Sequence, residues 1–191
     1  MSTHTAAFWD DVFSKGQACP YTRVAMPDPD DAKLCRAREH FGDLTGKTVL
    51  DIGCGSGATS LFFAQHGAQV LSIDISAVAI NNLKQYCNRH AIANITPIQM
   101  PAQGIRQLGP VDFVFGAMIL HHIEPFEPFA ATLRQTLAPG GKAFFWENNA
   151  SSSFMMWCRE HLTGRFGIPK HGDVEEHPLT PSEVRTLNTH L

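Results

Sequence analysis

The 191-residue sequence has no long apolar run, no block of basic residues and no pair of closely spaced cysteines. A membrane-spanning helix needs about 20 consecutive apolar residues, so none is expected. The formal net charge is −3, and without a basic block this disfavours duplex DNA or RNA as a partner. Residues 1–5 begin neither a basic nor an apolar segment, which disfavours a secretion signal.

The five cysteines are odd in number and widely separated: Cys19, Cys35, Cys54, Cys87 and Cys158. A disulfide framework, or a zinc site built from cysteine pairs, is therefore not expected. We predict reduced thiols in a cytoplasmic protein and no bound metal.

What the sequence does contain is an alternation of apolar strands and amphipathic helices, the pattern of a parallel sheet with right-handed crossovers. Its length suits roughly one compact domain. The predicted strands are Thr48–Ile52, Gln69–Asp74, Ile95–Met100 (weakened by Pro97), Val111–Phe115 and Lys142–Glu147. The predicted helices run from a Ser56 cap to His66, from a Ser76 cap to His90, and from Phe126 to Leu137, before a turn at Pro139–Gly141.

The two ends of the chain differ from this alternating core. Residues 1–45 are predicted to form a helical cap, with one helix around Phe8–Phe13 and another over Asp28–Phe41. Residues 46–150 form the core. Residues 151–191 are predicted to contain an apolar cluster at Phe154–Trp157, a loop at Gly164–His177, and a helix beginning near Thr180–Glu183.

A glycine-rich segment lies where the first strand meets the first helix of the core, in the order Asp51-Ile52-Gly53-Cys54-Gly55-Ser56-Gly57. Glycines allow a ligand to approach the backbone, and a helix start presents unpaired N–H groups. In open α/β sheets, ligands bind at the carboxyl ends of the strands. The segment therefore predicts a ligand site at that edge.

The nature of the ligand depends on the spacing of the glycines and on Asp74, which ends the second strand 21 residues after Gly53. A carboxylate there can accept hydrogen bonds from both hydroxyls of a ribose. The third glycine comes one residue earlier than in the dinucleotide pattern G-x-G-x-x-G. Ala58 satisfies a relaxed version of that pattern, so an NAD-dependent oxidoreductase remains an alternative.

Five segments in order resemble the motifs of class I S-adenosylmethionine-dependent methyltransferases, over Lys47 to Glu147. They are Val49–Gly57, Asp74, Val111–Val114, His121–Ile123 and Leu137–Gly141. The resemblance implies a Rossmann-like αβα sandwich, with strand order 3-2-1-4-5, that binds S-adenosylmethionine. The family's last two strands are missing from the sequence, so the fifth strand is expected to be an exposed edge that favours self-association.

The resemblance also assigns roles to individual residues. Residues Gly53, Cys54, Gly55, Ser56 and Gly57 would face the methionine part of the cofactor, and Asp51 would lie near its amino group and reach it through water. Asp74 would bind the ribose and Ile75 would lie against the adenine, while Gly116 would contact the amine. The adenine turn, Pro101-Ala102-Gln103, departs from the family because Pro101 stands where an acidic residue is usual. The Gln103 amide or a backbone carbonyl would have to replace that residue.

Methyl transfer requires a general base only if the acceptor must lose a proton. His121 and His122 follow the fourth strand and are the candidate bases, without a ranking between them; a purely structural role for both is the alternative. Tyr21, His171 and His177 could approach from the flanks. Glu147-Asn148-Asn149 offers oxygen ligands, but a structural role in a loop is favoured over a metal site.

The absence of two motifs restricts the chemical class of the methyl acceptor. The sequence after the fourth strand lacks the Asn/Asp-Pro-Pro-Tyr/Phe motif of nucleobase-amino and amide methylators, and it lacks the acidic ligands of a metal-dependent catechol site. We therefore predict methylation of oxygen or carbon in a small, partly apolar molecule. A non-catalytic, truncated module that binds S-adenosylmethionine is a further alternative.

Overall fold

The computed structural model describes residues 5–15, 23–148, 150, 161 and 178–191. Five parallel strands form one sheet in the order β3-β2-β1-β4-β5, which confirms the predicted order. The strands are β1 Thr48–Ile52, β2 Gln69–Asp74, β3 Ile95–Gln99, β4 Val111–Ala117 and β5 Leu137–Trp146. Among the described residues, β3 and β5 each pair with a single neighbour, so they are the sheet's two edges.

Helices cover both faces of this sheet. They are α1 Ala6–Ser14, α2 Ala32–Phe41, α3 Ala58–Gln65, α4 Ala77–Arg89, α5 Phe126–Thr136 and α6 Pro181–His190, with 3-10 helices at Ala102–Leu108 and Leu120–His122. Because successive side chains of a strand point to opposite faces, Val49 packs with α2, α3 and α4, while Leu50 packs with α5 and α6. Two apolar layers therefore enclose β1, which is the central strand.

The carboxyl ends of the central strands lie level with one another. Ile52 is opposite Ile73 on one side and Gly116 on the other. The chain leaving β1 then turns across the end of β2, since the N–H groups of Gly53 and Cys54 both donate to the carbonyl of Ile73 at 2.9 Å. This places the glycine-rich loop directly above the sheet edge.

The observed helix starts and strand ends can be compared with those predicted from the sequence. The Ser76 cap is confirmed, since its hydroxyl accepts from the N–H of Ala79 at 3.1 Å. The predicted Ser56 cap is wrong. The N-cap residue of α3 is Gly57, one residue later, which has a φ of 81° and forms no side-chain cap. Pro97 is accommodated in β3 because that strand is at the edge of the sheet.

The prediction that a turn at Pro139–Gly141 precedes the fifth strand is wrong, because β5 already begins at Leu137. The segment forms an irregularity within the strand instead. Val111 is opposite Leu137, whereas Phe113 is opposite Lys142, so the extra residues of β5 bulge from the ladder. The second helix likewise begins at Ala32, capped by Asp31, and not at Asp28.

The part of the tail that is described begins again at residue 178. Leu179 exchanges backbone hydrogen bonds with Asn148 and Ala150 at 3.0 and 2.9 Å. The helix predicted near Thr180 is confirmed, and Thr180 and Glu183 form a reciprocal capping box. The predictions for Phe154–Trp157, for the loop at Gly164–His177 and for Tyr21 lie outside the described residues. No described helix is long and apolar enough to cross a membrane.

Candidate active site

The glycine-rich loop between β1 and α3 is a tight turn with three glycines at positive φ: Gly53, Gly55 and Gly57. At two of these glycines, a neighbouring side chain occupies the space that a Cβ would need. A Cβ on Gly53 would lie 2.7 Å from Cδ1 of Ile119, and one on Gly57 would lie 2.5 Å from Cδ1 of Leu83. A side chain at either position would therefore force Ile119 or Leu83 to move, whatever the loop binds.

In the same loop, Gly55 lies against α1, whereas the side chain of Cys54 lies in the core. A Cβ on Gly55 would lie 3.2 Å from the Phe13 ring, so α1 covers this part of the loop. The Cys54 side chain points into the core, and burial raises the pKa of its thiol well above the usual range. A thiol that remains protonated and buried is a packing residue, so Cys54 contributes its backbone alone to this edge.

Asp74 ties the loop to the start of α4. Its Oδ2 accepts from the N–H of Gly55 at 2.9 Å, and its Oδ1 accepts from the N–H of Ser76 at 2.8 Å. Burial raises the pKa of this carboxyl group, although the backbone hydrogen bonds oppose the shift. Each oxygen has a second lone pair, so the side chain can also accept from two hydroxyl groups of a ligand.

Asp51 is the most buried acid of the site, with a side chain in contact with two hydroxyl groups. Its Oδ2 accepts from Thr59 Oγ1 at 2.5 Å and from Ser60 Oγ at 2.6 Å. Burial raises its pKa to about 6, and the nearby charge of Asp74 adds to the shift. The described residues therefore stabilise the ionised form of Asp51 only in part.

The second oxygen of Asp51, Oδ1, accepts no hydrogen bond from a described residue. No described side-chain oxygen or nitrogen is both sealed from solvent and unpaired, so Oδ1 keeps a trace of solvent exposure in a side chain that is otherwise buried. A buried carboxylate with one oxygen that accepts no hydrogen bond is suited to a cationic hydrogen-bond donor, such as an ammonium group. Asp51 thus fits the amino group of an amino-acid-like ligand.

Helix α1 lies across the same edge of the sheet. Asp10 accepts from Ser76 Oγ at 2.6 Å and from the N–H of Val78 at 3.1 Å, which fixes α1 to the first turn of α4. The ring of Trp9 packs edge-on against that of His122, with centroids 5.5 Å apart. Helix α1 therefore spans the site from the end of β2 to the end of β4.

The loop after β4 carries both candidate bases and is held by Glu147, the residue after β5. Glu147 Oε1 accepts from the N–H groups of Ile119 and Leu120 at 2.5 and 2.7 Å. Its Oε2 lies 2.8 Å from Nδ1 of His121. The rings of His121 and His122 are adjacent, with centroids 4.0 Å apart. Glu147 is thus a structural residue of this loop, as the sequence favoured.

The turn predicted to hold an adenine begins the first 3-10 helix. Pro101 is its N-cap residue, and Ala102 is its first residue. The Gln103 amide nitrogen donates to the carbonyl of Glu124 at 3.0 Å. Ile75 accepts at its carbonyl from Gln99 Nε2 at 3.3 Å. Since the Gln103 nitrogen has a protein partner, its amide oxygen is the atom that could accept from an adenine amino group.

Comparison with known proteins agrees with this geometry. The profile of a family described as "Methyltransferase domain" matches residues 49–141. A ubiquinone biosynthesis O-methyltransferase of Acinetobacter baylyi is 33% identical over 109 residues, which are 56% of this chain and 46% of that protein. The homologous enzyme of Idiomarina loihiensis is 29% identical over 192 residues, 96% of this chain and 73% of that protein. Residues 49–141 are thus similar to the domain that defines this methyltransferase family.

Solved structures of methyltransferases share the fold of this chain at low sequence identity. The N-methyltransferase NodS from Bradyrhizobium japonicum, in complex with S-adenosylhomocysteine, has a TM-score of 0.65 and 17% identity, covering 95% of this chain and 85% of NodS. Coclaurine N-methyltransferase has a TM-score of 0.55 and 21% identity, covering 60% of this chain and 33% of that enzyme. The chain spans about half the length of the first curated relatives it matches.

The fold brings most of the predicted site residues to one edge of the sheet. Gly116 is the last residue but one of β4, beside this edge, and a Cβ on it would lie within 3 Å of the Ile119 and Phe145 side chains. Sequence reasoning missed three residues: Asp10, Phe13 and Ile119. Asp10 and Phe13 could not be found from a motif, since both act through contacts with distant segments. His171 and His177 lie outside the described residues.

Proposed function

We propose that this chain binds S-adenosylmethionine above β1 and β2 and transfers its methyl group to an oxygen or carbon atom of a small, partly apolar molecule. The proposal is carried by Oδ1 of buried Asp51, which accepts no hydrogen bond from a described residue. The cofactor's amino group would supply the cation that this carboxylate lacks. Asp74 would accept from the ribose hydroxyls while it still holds the N–H of Gly55.

The residues of this chain would bind and orient, because the bound cofactor itself supplies an electrophilic methyl group. The acceptor would lie toward the end of β4. There Ile119 and Trp9 offer apolar surface, and His121 and His122 offer polar atoms. A mixed wall of this kind suits a small molecule with an apolar body and one or two polar groups.

An oxygen acceptor is supported by the curated relatives. Those proteins are named ubiquinone biosynthesis O-methyltransferases. Because the chain covers only part of their length, the substrate of this chain is proposed by chemical class alone: a hydroxyl group on a small, partly apolar molecule.

We further propose that residues 1–45 act as a cap over the cofactor, and that residues 151–191 contribute to the acceptor side. The cap is supported by the contacts of Asp10 with Ser76 and of Trp9 with His122. A reducing, cytoplasmic setting suits the free thiols of Cys35, Cys54 and Cys87.

Isothermal titration of the protein with S-adenosylhomocysteine and, separately, with NAD tests the cofactor. We expect binding of S-adenosylhomocysteine and none of NAD; the opposite result would identify a nucleotide-dependent oxidoreductase. Incubation with S-adenosylmethionine and a panel of phenols, followed by mass spectrometry, tests the transfer. Binding without any product heavier by one methylene group would identify a non-catalytic module.

A further inference from the structure

Helix α2 packs along β5 and contacts it near both of its ends. At the C-terminal end of α2, the ammonium group of Lys142 donates to the carbonyls of His40 and Phe41, at 2.7 and 3.4 Å. In its N-terminal half, the guanidinium carbon of Arg36 lies 5.9 Å from the centroid of the Trp146 ring. The helix therefore runs antiparallel to β5, and its N-terminal half lies at the carboxyl edge of the sheet.

Trp146 is the last residue of β5 and lies beside the loop that follows β4. It is opposite Ala117 in the sheet, and its carbonyl accepts from the N–H of Met118 at 2.9 Å. The side chains of Trp146 and Met118 are among the few large apolar ones that stay exposed, at 38% and 42%. They therefore offer apolar surface at the ends of β4 and β5, where the acceptor is proposed to bind.

Arg36 differs from the neighbouring basic residues of α2 in its partners. Lys33 forms an ion pair with the N-cap residue Asp31 at 2.7 Å, and Arg38 Nη1 lies 2.7 Å from Nε2 of His66. Within the described part of the chain, Arg36 forms no ion pair, and its contact is the indole ring. Stacking on a ring orients a guanidinium group and leaves its N–H groups available to donate. Arg36 is thus an oriented donor group without an anion.

The position of Arg36 along the sheet indicates which ligand would supply that anion. Neighbouring strands are about 4.8 Å apart, so the end of β5 lies roughly 10 Å from that of β1, two strands away. The cofactor's amino group is proposed to bind at β1, beside Asp51. Although burial raises the pKa of Asp51, the charge of Lys33 acts to lower it, so Lys33 is the cation of α2 on that side. Arg36 is on the side of the acceptor.

We propose that Arg36 is a specificity-determining residue that binds a carboxylate of the acceptor, and that Trp146 is its positioning residue. This inference rests on the proposed function. The acceptor is consequently a small aromatic acid, which carries a carboxylate besides the hydroxyl group that is methylated. The planar guanidinium group can donate two parallel hydrogen bonds to the two oxygens of a carboxylate. An aromatic body suits the exposed indole of Trp146 and the thioether of Met118.

Binding of such an acid can be measured without turnover. The full chain, saturated with S-adenosylhomocysteine, is titrated calorimetrically with 3,4-dihydroxybenzoate and with 3,4-dihydroxyphenylacetate. Parallel titrations use their primary amides, which keep the shape and lack the charge. We expect at least one acid to bind about 10-fold or more tightly than its amide, and Arg36→Gln to abolish this difference. Equal affinities of acid and amide in wild type, or no binding of either acid, would overturn the inference.

Arg38→Gln is the matched control, because it removes an exposed cation from the same helix two residues further on. We expect it to leave the affinity for the acid unchanged. Arg36→Lys keeps the charge without the paired donors, so its affinity should lie between those of wild type and Arg36→Gln. An affinity for the acid that falls equally in Arg36→Gln and Arg38→Gln would reduce the effect to the net charge of α2 and would contradict the assignment.

The positioning role of Trp146 predicts a selective effect. Trp146→Leu should weaken binding of the acid about 3-fold more than binding of its amide, because the guanidinium group loses the ring that orients it. Trp146→Phe, which keeps a ring, should restore most of the difference. For an acid that is methylated, Arg36→Gln should raise KM and leave kcat within about threefold of wild type, since Arg36 does not touch the reacting atoms. Equal weakening of acid and amide would assign Trp146 a merely structural role.

The outcomes separate this inference from the function beneath it. If wild-type protein binds no S-adenosylhomocysteine, the proposed function fails. If it binds S-adenosylhomocysteine but prefers no acid to its amide, only the carboxylate assignment fails. If Arg36→Gln lowers the affinity for S-adenosylhomocysteine itself by about 10-fold, the anion is the carboxylate of the cofactor, and the inference about the acceptor is overturned.

Discussion

The two halves of the sheet's carboxyl edge carry different chemistry. At the ends of β1 and β2 there are two carboxylates, Asp51 and Asp74, surrounded by hydroxyl and backbone N–H donors. At the ends of β4 and β5 the described residues include two imidazoles and the carboxylate of Glu147. The first half, called the cofactor half below, is suited to hold a cation and a sugar. The second half, called the acceptor half, is suited to move a proton.

The halves also differ in how far apart their partners lie along the chain. Asp51 and Ser60 are 9 residues apart, and Gly55 and Asp74 are 19 apart. His121 and Glu147, in the second half, are 26 apart. The contacts of Asp51 and Asp74 thus lie within one short segment of the chain, whereas the second half depends on the pairing of two separate strands. The first half also receives one distant contact, from Asp10 to Ser76, 66 residues apart.

The largest effect is expected for Asp74→Ala. The change removes the acceptor of two backbone N–H groups and of both proposed ribose contacts. At about 2 kcal/mol for each of two charged hydrogen bonds, the affinity for S-adenosylhomocysteine should fall about 1,000-fold. Titration calorimetry measures it.

Asp112→Ala is the matched control for that variant. Asp112 also accepts from a backbone N–H group, that of Thr48 at 2.9 Å, but it lies near the amino end of β4. Its loss should leave the affinity for S-adenosylhomocysteine unchanged. Equal losses of affinity in both variants would mean that the cofactor half has no special role.

The second prediction concerns pH and Asp51. Its pKa is raised to about 6 in the folded protein, so the folded state holds the proton more tightly than the unfolded chain. Its contribution to stability is therefore present below roughly pH 4 and is lost as the pH rises through about 6, a change of roughly 3 kcal/mol.

Asp51→Asn isolates this contribution. Urea unfolding of both proteins between pH 4 and 7, without cofactor, should show wild type losing more stability than the variant as the pH rises. Binding of S-adenosylhomocysteine by wild type should tighten over the same range, because the ammonium group favours the ionised carboxylate. Parallel stability curves for wild type and variant would contradict the raised pKa.

The third prediction tests the acceptor half by stability. Glu147→Ala leaves the N–H groups of Ile119 and Leu120 without their acceptor, so the free energy of unfolding should fall by about 2 kcal/mol. Glu127→Ala, at an exposed glutamate in the first turn of α5, should change it by less than about 0.5 kcal/mol. Similar losses in the two variants would mean that Glu147 does not hold the loop.

The difference between local and distant contacts also explains which features could be predicted from the sequence. The parallel sheet and the position of Asp74 follow from local alternation and spacing. The strand order was implied by the family resemblance, and the structure confirms it. The Ser56 cap failed because Gly57, at positive φ, occupies the N-cap position. The link between His121 and Glu147 could not be predicted, since it requires β4 and β5 to be paired and the loop after β4 to fold back onto Glu147.

The smallest expected effect separates packing from backbone strain in the glycine loop. Gly57→Ala and Gly140→Ala both place alanine at positive φ, 81° and 76°, so both pay a similar conformational cost. A Cβ at residue 57 would also meet Leu83, which is fully buried, whereas nothing lies within 4 Å of one at residue 140. Gly57→Ala should therefore lower the free energy of unfolding by about 1 kcal/mol more than Gly140→Ala, as measured by urea denaturation. Equal losses would mean that Leu83 yields without cost, and that Gly57 is needed for its backbone conformation alone.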